Sequence, residues 1–154
     1  MAISARILPI CFLALAATAY GSDQAAALLG KWKVKSVTVP ASGPPAEQAK
    51  SMLMSATIQF SRDRTFAMTL VGPMKGTWKV TGHTVALTFT DLLGRKMSEI
   101  LNMARVNYSN EPSPRNRAVL DELSKPMIGI LSSDGKTLTT KPPTGKSGIV
   151  FIRA

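Results

Sequence analysis

Cysteine and histidine are almost absent from this sequence of 154 residues. The one cysteine is Cys11 and the one histidine is His83. Cys11 lies in an apolar run near the N-terminus, so a chain that has lost this run forms no disulfide. Structural zinc sites take four Cys or His ligands, and catalytic sites take three protein ligands. We therefore expect no metal site and no cofactor, and a fold that is held together by its hydrophobic core.

The first 19 residues have the pattern of a secretory signal peptide. No acidic residue precedes Arg6, the apolar run ILPICFLALAA follows it, and the small residues Ala17 and Ala19 provide a cleavage site. The run is shorter than the roughly 20 residues that a membrane-spanning helix needs. These features predict a signal peptide at 1–19, a single mature domain at 20–154, and a secreted or periplasmic location.

Acidic residues are also few, with 9 Asp and Glu against 19 Lys and Arg, a formal charge of +10. Residues 91–125 contain six cations and five anions, so the excess belongs to the rest of the chain. The positive charge keeps the protein soluble or attracts an anionic envelope surface. Nucleic acid is not expected as a partner, because the aromatic side chains that would stack on bases are predicted to face inward.

Alternating apolar and polar residues predict β-strands through most of the mature chain. Lys31, Lys33 and Lys35 alternate with Trp32 and Val34, as in a strand with one buried face. The same alternation occurs at 56–60, 65–71, 77–80, 84–90, 127–131 and 148–153, with turn residues in between. The predicted inward side chains are Trp32, Val34, Ile58, Phe60, Phe66, Met68, Leu70, Trp78, Val80, Val85, Leu87, Phe89, Ile128, Ile130, Ile149 and Phe151.

Serial antiparallel hairpins without disulfides need a way to hide the edges of their sheet, and closure into a barrel removes the edges altogether. The expected fold is therefore mostly β, a single antiparallel up-and-down barrel of about eight strands with short helical segments. Helical spacing occurs at 45–54, 97–104 and 114–123. The last two segments lie in an insertion at about 91–125, for which the sequence leaves open a helical lid or extended strands.

Two pentapeptides, GKWKV at 30–34 and GTWKV at 76–80, contain both tryptophans of the chain. The first resembles the Gly-x-Trp opening of the lipocalin-like (calycin) barrels, in particular small secreted bacterial domains. In lipocalins a cation near the end of the last strand packs on that tryptophan, and Arg153 is similarly placed. The resemblance implies that Gly30, Trp32 and Arg153 close one end of the barrel.

The sequence offers little for catalysis. His83 follows a glycine in a predicted turn, where an exposed residue is more common than a general base. No serine stands in a recognisable nucleophile motif. Asp121 and Glu122 are adjacent on a predicted helix, so their carboxylates diverge. We expect no catalytic residues and a protein that is not an enzyme.

The resemblance and the apolar interior together favour a binding protein for a small apolar ligand. We expect this ligand to enter between the 45–54 helix and the insertion, lined by Met52, Leu53, Met68, Trp78 and Phe89. The alternative is an interaction module, inhibitor-like or surface-binding, with a packed barrel that holds no ligand. The sequence does not determine the ligand, the oligomeric state or the source organism.

Overall fold

The structure is a computed structural model that describes residues 23–39, 44–141 and 148–154. The predicted signal peptide and its cleavage site lie outside these residues. Nine strands and four helices occur in the described part of the chain. In chain order they are α1 (residues 23–28), β1 (Gly30–Thr38), α2 (Pro44–Met54), β2 (Thr57–Phe60), β3 (Thr65–Thr69), β4 (Pro73–Thr81), β5 (Thr84–Leu92), β6 (Arg95–Lys96), α3 (Met97–Asn110), α4 (Pro114–Leu123), β7 (Met127–Leu131), β8 (Thr137–Lys141) and β9 (Gly148–Arg153).

Eight antiparallel strands form a closed barrel. Neighbours in the sequence are neighbours in the sheet from β1 to β5, and β5 then pairs with β7, β7 with β8, and β8 with β9. Pairing of β1 with β9 completes the circle, and the two-residue β6 pairs only with the end of β5. The predicted up-and-down barrel of about eight strands is therefore confirmed, with the helices as short additions.

The barrel has two ends, which we name by their residues. At the Trp32 end, β1 begins at Gly30 and β9 finishes at Arg153. At the opposite end, the mouth, β5 ends at Leu92 and β7 begins at Met127. The helix α2 connects β1 to β2 at the mouth, and α3 and α4 connect β6 to β7 there. All three helices predicted from the sequence are present, and the insertion is helical.

The short helix α1 was not predicted from the sequence. It covers the Trp32 end, where Leu28 has no solvent exposure and Ala25 is 7% exposed. Gln24 in this helix contacts the His83 ring, with Gln24 Nε2 3.3 Å from Nδ1. Six residues are too short a window for helical periodicity to be recognised.

Side chains from all around the barrel fill its interior. A chain of aromatic contacts runs from Trp78 to Phe60, Phe66 and Phe89, with ring centroids 5.8, 6.4 and 5.4 Å apart in turn. The two outer pairs meet edge to face, the favoured geometry for aromatic rings. The chain of rings crosses the barrel from the Trp32 end towards the mouth.

The two glycine–tryptophan pentapeptides have similar tryptophan contacts but different glycine requirements. Gly30 has a φ of 113°, a conformation that side chains rarely adopt. Gly76 is required for space instead, because a Cβ there would lie 2.1 Å from the carbonyl oxygen of Thr88. Each tryptophan donates its indole N–H to a backbone carbonyl, Trp32 to Leu28 at 2.8 Å and Trp78 to Thr65 at 2.9 Å.

The prediction of which β7 side chains point into the barrel is wrong. Ile128 and Ile130 were expected to point inward, but they are 41% and 48% exposed on the outer wall. Gly129 and Leu131 point inward instead. The reason is steric: a Cβ on Gly129 would lie 2.9 Å from Leu138 Cδ1, so the leucine of β8 occupies the space that a β7 side chain would need.

The helices α3 and α4 form a hairpin that packs on the barrel without burying any residue completely. Ser113 caps α4 by accepting a hydrogen bond from Asn116 N at 3.1 Å, and Pro114 follows at the first turn. Within the described ranges, no helix is both long and apolar enough to cross a bilayer.

Candidate functional site

An apolar cleft of about 260 Å³ lies at the mouth, between the barrel and the α3–α4 hairpin. Strands β4, β5 and β7 contribute inward or half-buried side chains, and the hairpin covers them from one side. The lining residues are Met74, Phe89, Leu92, Met97, Glu122, Leu123, Lys125 and Met127. We call this space the mouth cleft.

The floor of the mouth cleft is formed where two strands change their regular pairing. A bulge in the β4–β5 pair lies beside Gly76, so that Phe89 and Leu92 both turn towards the interior although they are an odd number of positions apart. Phe89 is the last ring of the aromatic chain in the core. The cleft is therefore continuous with the hydrophobic core but lies above it, outside the packed rings.

The hairpin side of the cleft is formed by Met97 at the start of α3 and Leu123 at the end of α4. Leu123 also lines a second groove of about 260 Å³ between the two helices. Leu123 is thus common to the mouth cleft and the groove between the helices. The charged groups at the cleft are Glu122 and Lys125, which are exposed and therefore lie at its rim.

An ion pair fixes the short strand that leads from the barrel into the hairpin. Lys96 Nζ lies 2.8 Å from Asp91 Oδ1, across the β5–β6 pair. The hydrogen bond from Lys96, together with one from the Thr90 hydroxyl, lowers the pKa of the Asp91 carboxyl, and the same contact raises the pKa of Lys96. Both groups are therefore charged at neutral pH, and they attach the start of α3 to the barrel wall.

The five residues that we predicted to line a ligand site do not form one group. Phe89 lines the mouth cleft. Met68 and Trp78 are 3% and 4% exposed in the core, and Met52 is 51% exposed on α2. Leu53 is half-buried and packs on the core.

Five apolar residues of the cleft were missed because they lie near the ends of strands or helices, where local periodicity does not predict which residues meet. They are Met74, Leu92, Met97, Leu123 and Met127. Met97 was recognised as part of a helical stripe, which was the available signal. Met97 and Met127 line the same cleft because of the way the α3–α4 hairpin packs on the barrel, and local residue spacing does not determine that packing.

The three residues predicted to close the barrel end lie together in the structure. The Arg153 guanidinium carbon is 5.6 Å from the centroid of the Trp32 ring. A Cβ on Gly30 would lie 4.0 Å from Arg153 Nη1, an ordinary van der Waals distance, so the positive φ of Gly30 and not a lack of space favours glycine here. Arg64 lies in the same way over Trp78, at 4.5 Å, which the sequence did not predict.

His83 is exposed in the β4–β5 turn. Its Nδ1 lies 3.2 Å from the carbonyl oxygen of Leu131, besides the contact with Gln24. These contacts connect α1, the turn and β7 at the Trp32 end. His83 therefore lies at the opposite end of the barrel from the mouth cleft.

No protein-family model matches the chain, and no curated protein matches its sequence. Solved structures that are similar to it include the following three. A DUF4847 family protein from Bacteroides vulgatus is 20% identical, with a TM-score of 0.47, and the match covers 82% of this chain and 94% of that one. A lipocalin-like protein from Bacteroides uniformis is 12% identical, with a TM-score of 0.46 and coverages of 83% and 99%.

An uncharacterized protein from Bacteroides eggerthii is 13% identical, with a TM-score of 0.45 and coverages of 82% and 99%. In this chain, the antiparallel strands β1–β5 and β7–β9 close into an up-and-down barrel, the topology that the resemblance of the Gly-x-Trp opening implied.

Proposed function

We propose that this protein is a non-catalytic binding protein that holds a small apolar molecule in the mouth cleft. One observation carries the proposal: six of the eight lining residues are apolar, and the two charged ones lie at the rim. Ligand sites in proteins are mostly apolar concavities with a few polar groups that orient the ligand. The mouth cleft has this composition.

The dimensions of the cleft limit the ligand. Its volume of about 260 Å³ lies just below the roughly 300 to 1,000 Å³ of ordinary ligand pockets. Three methionines, Met74, Met97 and Met127, line it. Methionine side chains are flexible and polarizable, so they adapt to apolar groups of different shape. A short acyl chain or a similar group fits the cleft, and Lys125 at the rim suits an acidic head group.

The alternative function is an interaction module whose barrel holds no ligand. The aromatic chain from Trp78 to Phe89 favours it, because these rings fill the space that a ligand inside the barrel would occupy. The two functions differ at the mouth cleft, which lies outside the packed rings. Binding at the cleft supports the first function and its absence supports the second.

Export belongs to the same proposal. The pattern of the first 19 residues supports it, and a binding protein outside the cytoplasm would meet lipids and hydrophobic metabolites at the cell envelope. The proposed location is therefore secreted or periplasmic.

The test is calorimetric titration of the mature chain with fatty acids of increasing length. We expect saturable binding by the wild type. Met97→Glu is expected to weaken it by at least about tenfold, because an ionised carboxylate in the cleft loses its water when a ligand covers it. The variant should still fold, since an acidic residue in the first turn of a helix is favourable.

Met54→Glu is the matched control, because Met54 is 43% exposed on α2 and does not line the cleft. It should bind as the wild type does. No binding by the wild type, or equal losses in both variants, would contradict the proposed site.

A further inference from the structure

Leu93 is an apolar residue in an unfavourable conformation with little burial in return. It has a φ of 54° and is followed by Gly94 with a φ of 80° in the two-residue turn between β5 and β6. Turns with positive φ at both central residues favour Asn, Asp and Gly. Leu93 is also 57% exposed. Neither turn formation nor core packing therefore accounts for a leucine here.

Leu93 is part of an exposed apolar surface at the mouth. Its backbone N–H donates a hydrogen bond to the carbonyl oxygen of Pro73 at 2.9 Å, which joins its turn to the first residue of β4. Its side chain covers Gly72, where a Cβ would lie 2.5 Å from Leu93 Cδ2. The neighbouring Val71 is 68% exposed.

The helix α3 has a further exposed apolar side chain close to this turn. Arg95 Nη1 lies 3.8 Å from the sulfur of Met103, which is 44% exposed. We call Val71, Leu93 and Met103 the tip. Its three side chains come from three separate segments, so the apolar surface results from the fold and not from one apolar run.

The charge around the tip is positive. Residues 70–76 and 91–106 contain four cations and two anions, and no aromatic residue. Exposed aliphatic side chains bordered by long cationic side chains suit the boundary between acyl chains and anionic head groups, where the cations are attracted to lipid phosphates.

We propose that the tip docks the barrel, mouth first, on the surface of an anionic lipid bilayer. Val71, Leu93 and Met103 enter the head-group boundary, and Lys75 and Arg95 contact lipid phosphates. This inference goes beyond ligand binding and is independent of it, because neither Val71 nor Leu93 lines the mouth cleft.

The test is sedimentation of the purified protein with vesicles made of equal parts phosphatidylglycerol and phosphatidylcholine. We expect the wild type to bind, more weakly as salt rises, and not to bind vesicles of phosphatidylcholine alone. Leu93→Asn is expected to lower the partition coefficient about tenfold. Its melting temperature should equal or exceed that of the wild type, because Asn suits the turn.

Two further variants separate docking from folding. Val71→Ser should weaken binding in the same direction, and Arg95→Gln should lower it about fivefold at low salt. Ile130→Thr is the control, because Ile130 is 48% exposed on the outer wall, away from the tip. It should bind as the wild type does.

Failure of the wild type to bind the anionic vesicles would overturn the proposal. This includes the case in which sedimentation velocity shows that it dimerises through the tip instead. So would equal losses in Leu93→Asn and Ile130→Thr, or equal binding to both kinds of vesicle.

Discussion

The guanidinium of Arg153 lies over the indole of Trp32 and also donates a hydrogen bond to the carbonyl oxygen of Ala27. One side chain from the last strand thus connects the first strand and the helix α1. Trp32 itself has no solvent exposure. This contact therefore joins α1, β1 and β9 at the Trp32 end.

Loss of this contact should destabilise the protein in two measurable steps. Trp32→Ala is expected to lower the free energy of unfolding by about 3 to 5 kcal/mol, because it empties a core position. Arg153→Ala should cost about 1 to 2 kcal/mol, since it removes a cation–π contact and a hydrogen bond at an exposed position. Urea unfolding followed by circular dichroism measures both. A larger loss for Arg153→Ala than for Trp32→Ala would contradict this order.

The orientation of β7 predicts that alanine substitutions at two adjacent residues lower the free energy of unfolding by very different amounts. Leu131 is 1% exposed and Ile130 is 48% exposed. Leu131→Ala should therefore cost about 2 to 5 kcal/mol, and Ile130→Ala no more than about 1 kcal/mol, mostly through strand propensity. Thermal or urea unfolding of the two variants checks this. A larger loss for Ile130→Ala than for Leu131→Ala would instead support the inward orientation of Ile130 that we expected from the sequence.

Acid should destabilise the fold through three aspartates. Hydrogen bonds from Thr65, Lys96 and Ser132 lower the pKa of Asp63, Asp91 and Asp134 below the ordinary value of 3.8. A carboxyl with a lowered pKa in the folded state contributes stability above its unfolded pKa, and this contribution is lost as the pH falls through its folded pKa.

The free energy of unfolding should therefore fall as the pH drops from about 5 to below 3.8. Urea unfolding over this range measures the fall. Asp134→Asn should reduce it, because Asn keeps an acceptor for Ser132 and Lys136 but does not titrate. A stability that stays constant below the ordinary aspartate pKa would contradict the prediction.

Export should remove the N-terminal segment. Small residues at Ala17 and Ala19 suit a signal peptidase, so the external form of the protein should begin near Tyr20. Intact-mass analysis of the protein from the periplasm or medium of its own host gives the result directly. A full-length chain in that soluble fraction would show that no cleavage takes place.

Much of the barrel could be predicted from the sequence because period-two alternation is a local property. Lys31, Trp32 and Lys33 show it clearly, and in β1 the lysines are exposed and the tryptophan is buried, as expected. The facing of β7 could not be predicted in this way. In Met127–Leu131 both faces contain large apolar residues, and the choice depends on Leu138, which fills the space beside Gly129 from another strand.

The candidate site was less predictable than the fold. Phe89 was identified as an inward residue of an alternating strand, and it does line the cleft. Met52 was expected in the site on helical spacing, but the helix it belongs to packs on β1 and leaves it exposed. Helix periodicity gives the apolar stripe of a helix, whereas the partner of that stripe depends on tertiary packing.

The central claim is that an apolar ligand occupies the mouth cleft and not the barrel interior. Methionine-methyl NMR tests it most directly, because Met74, Met97 and Met127 line the cleft, whereas Met68 is 3% exposed in the core and Met54 lies outside on α2. On titration with a fatty acid, we predict saturable shifts for the three cleft methionines, with those of Met54 and Met68 unchanged. A shift of Met68 while the three cleft methionines stay unchanged, or no shift at any methionine, would contradict the account.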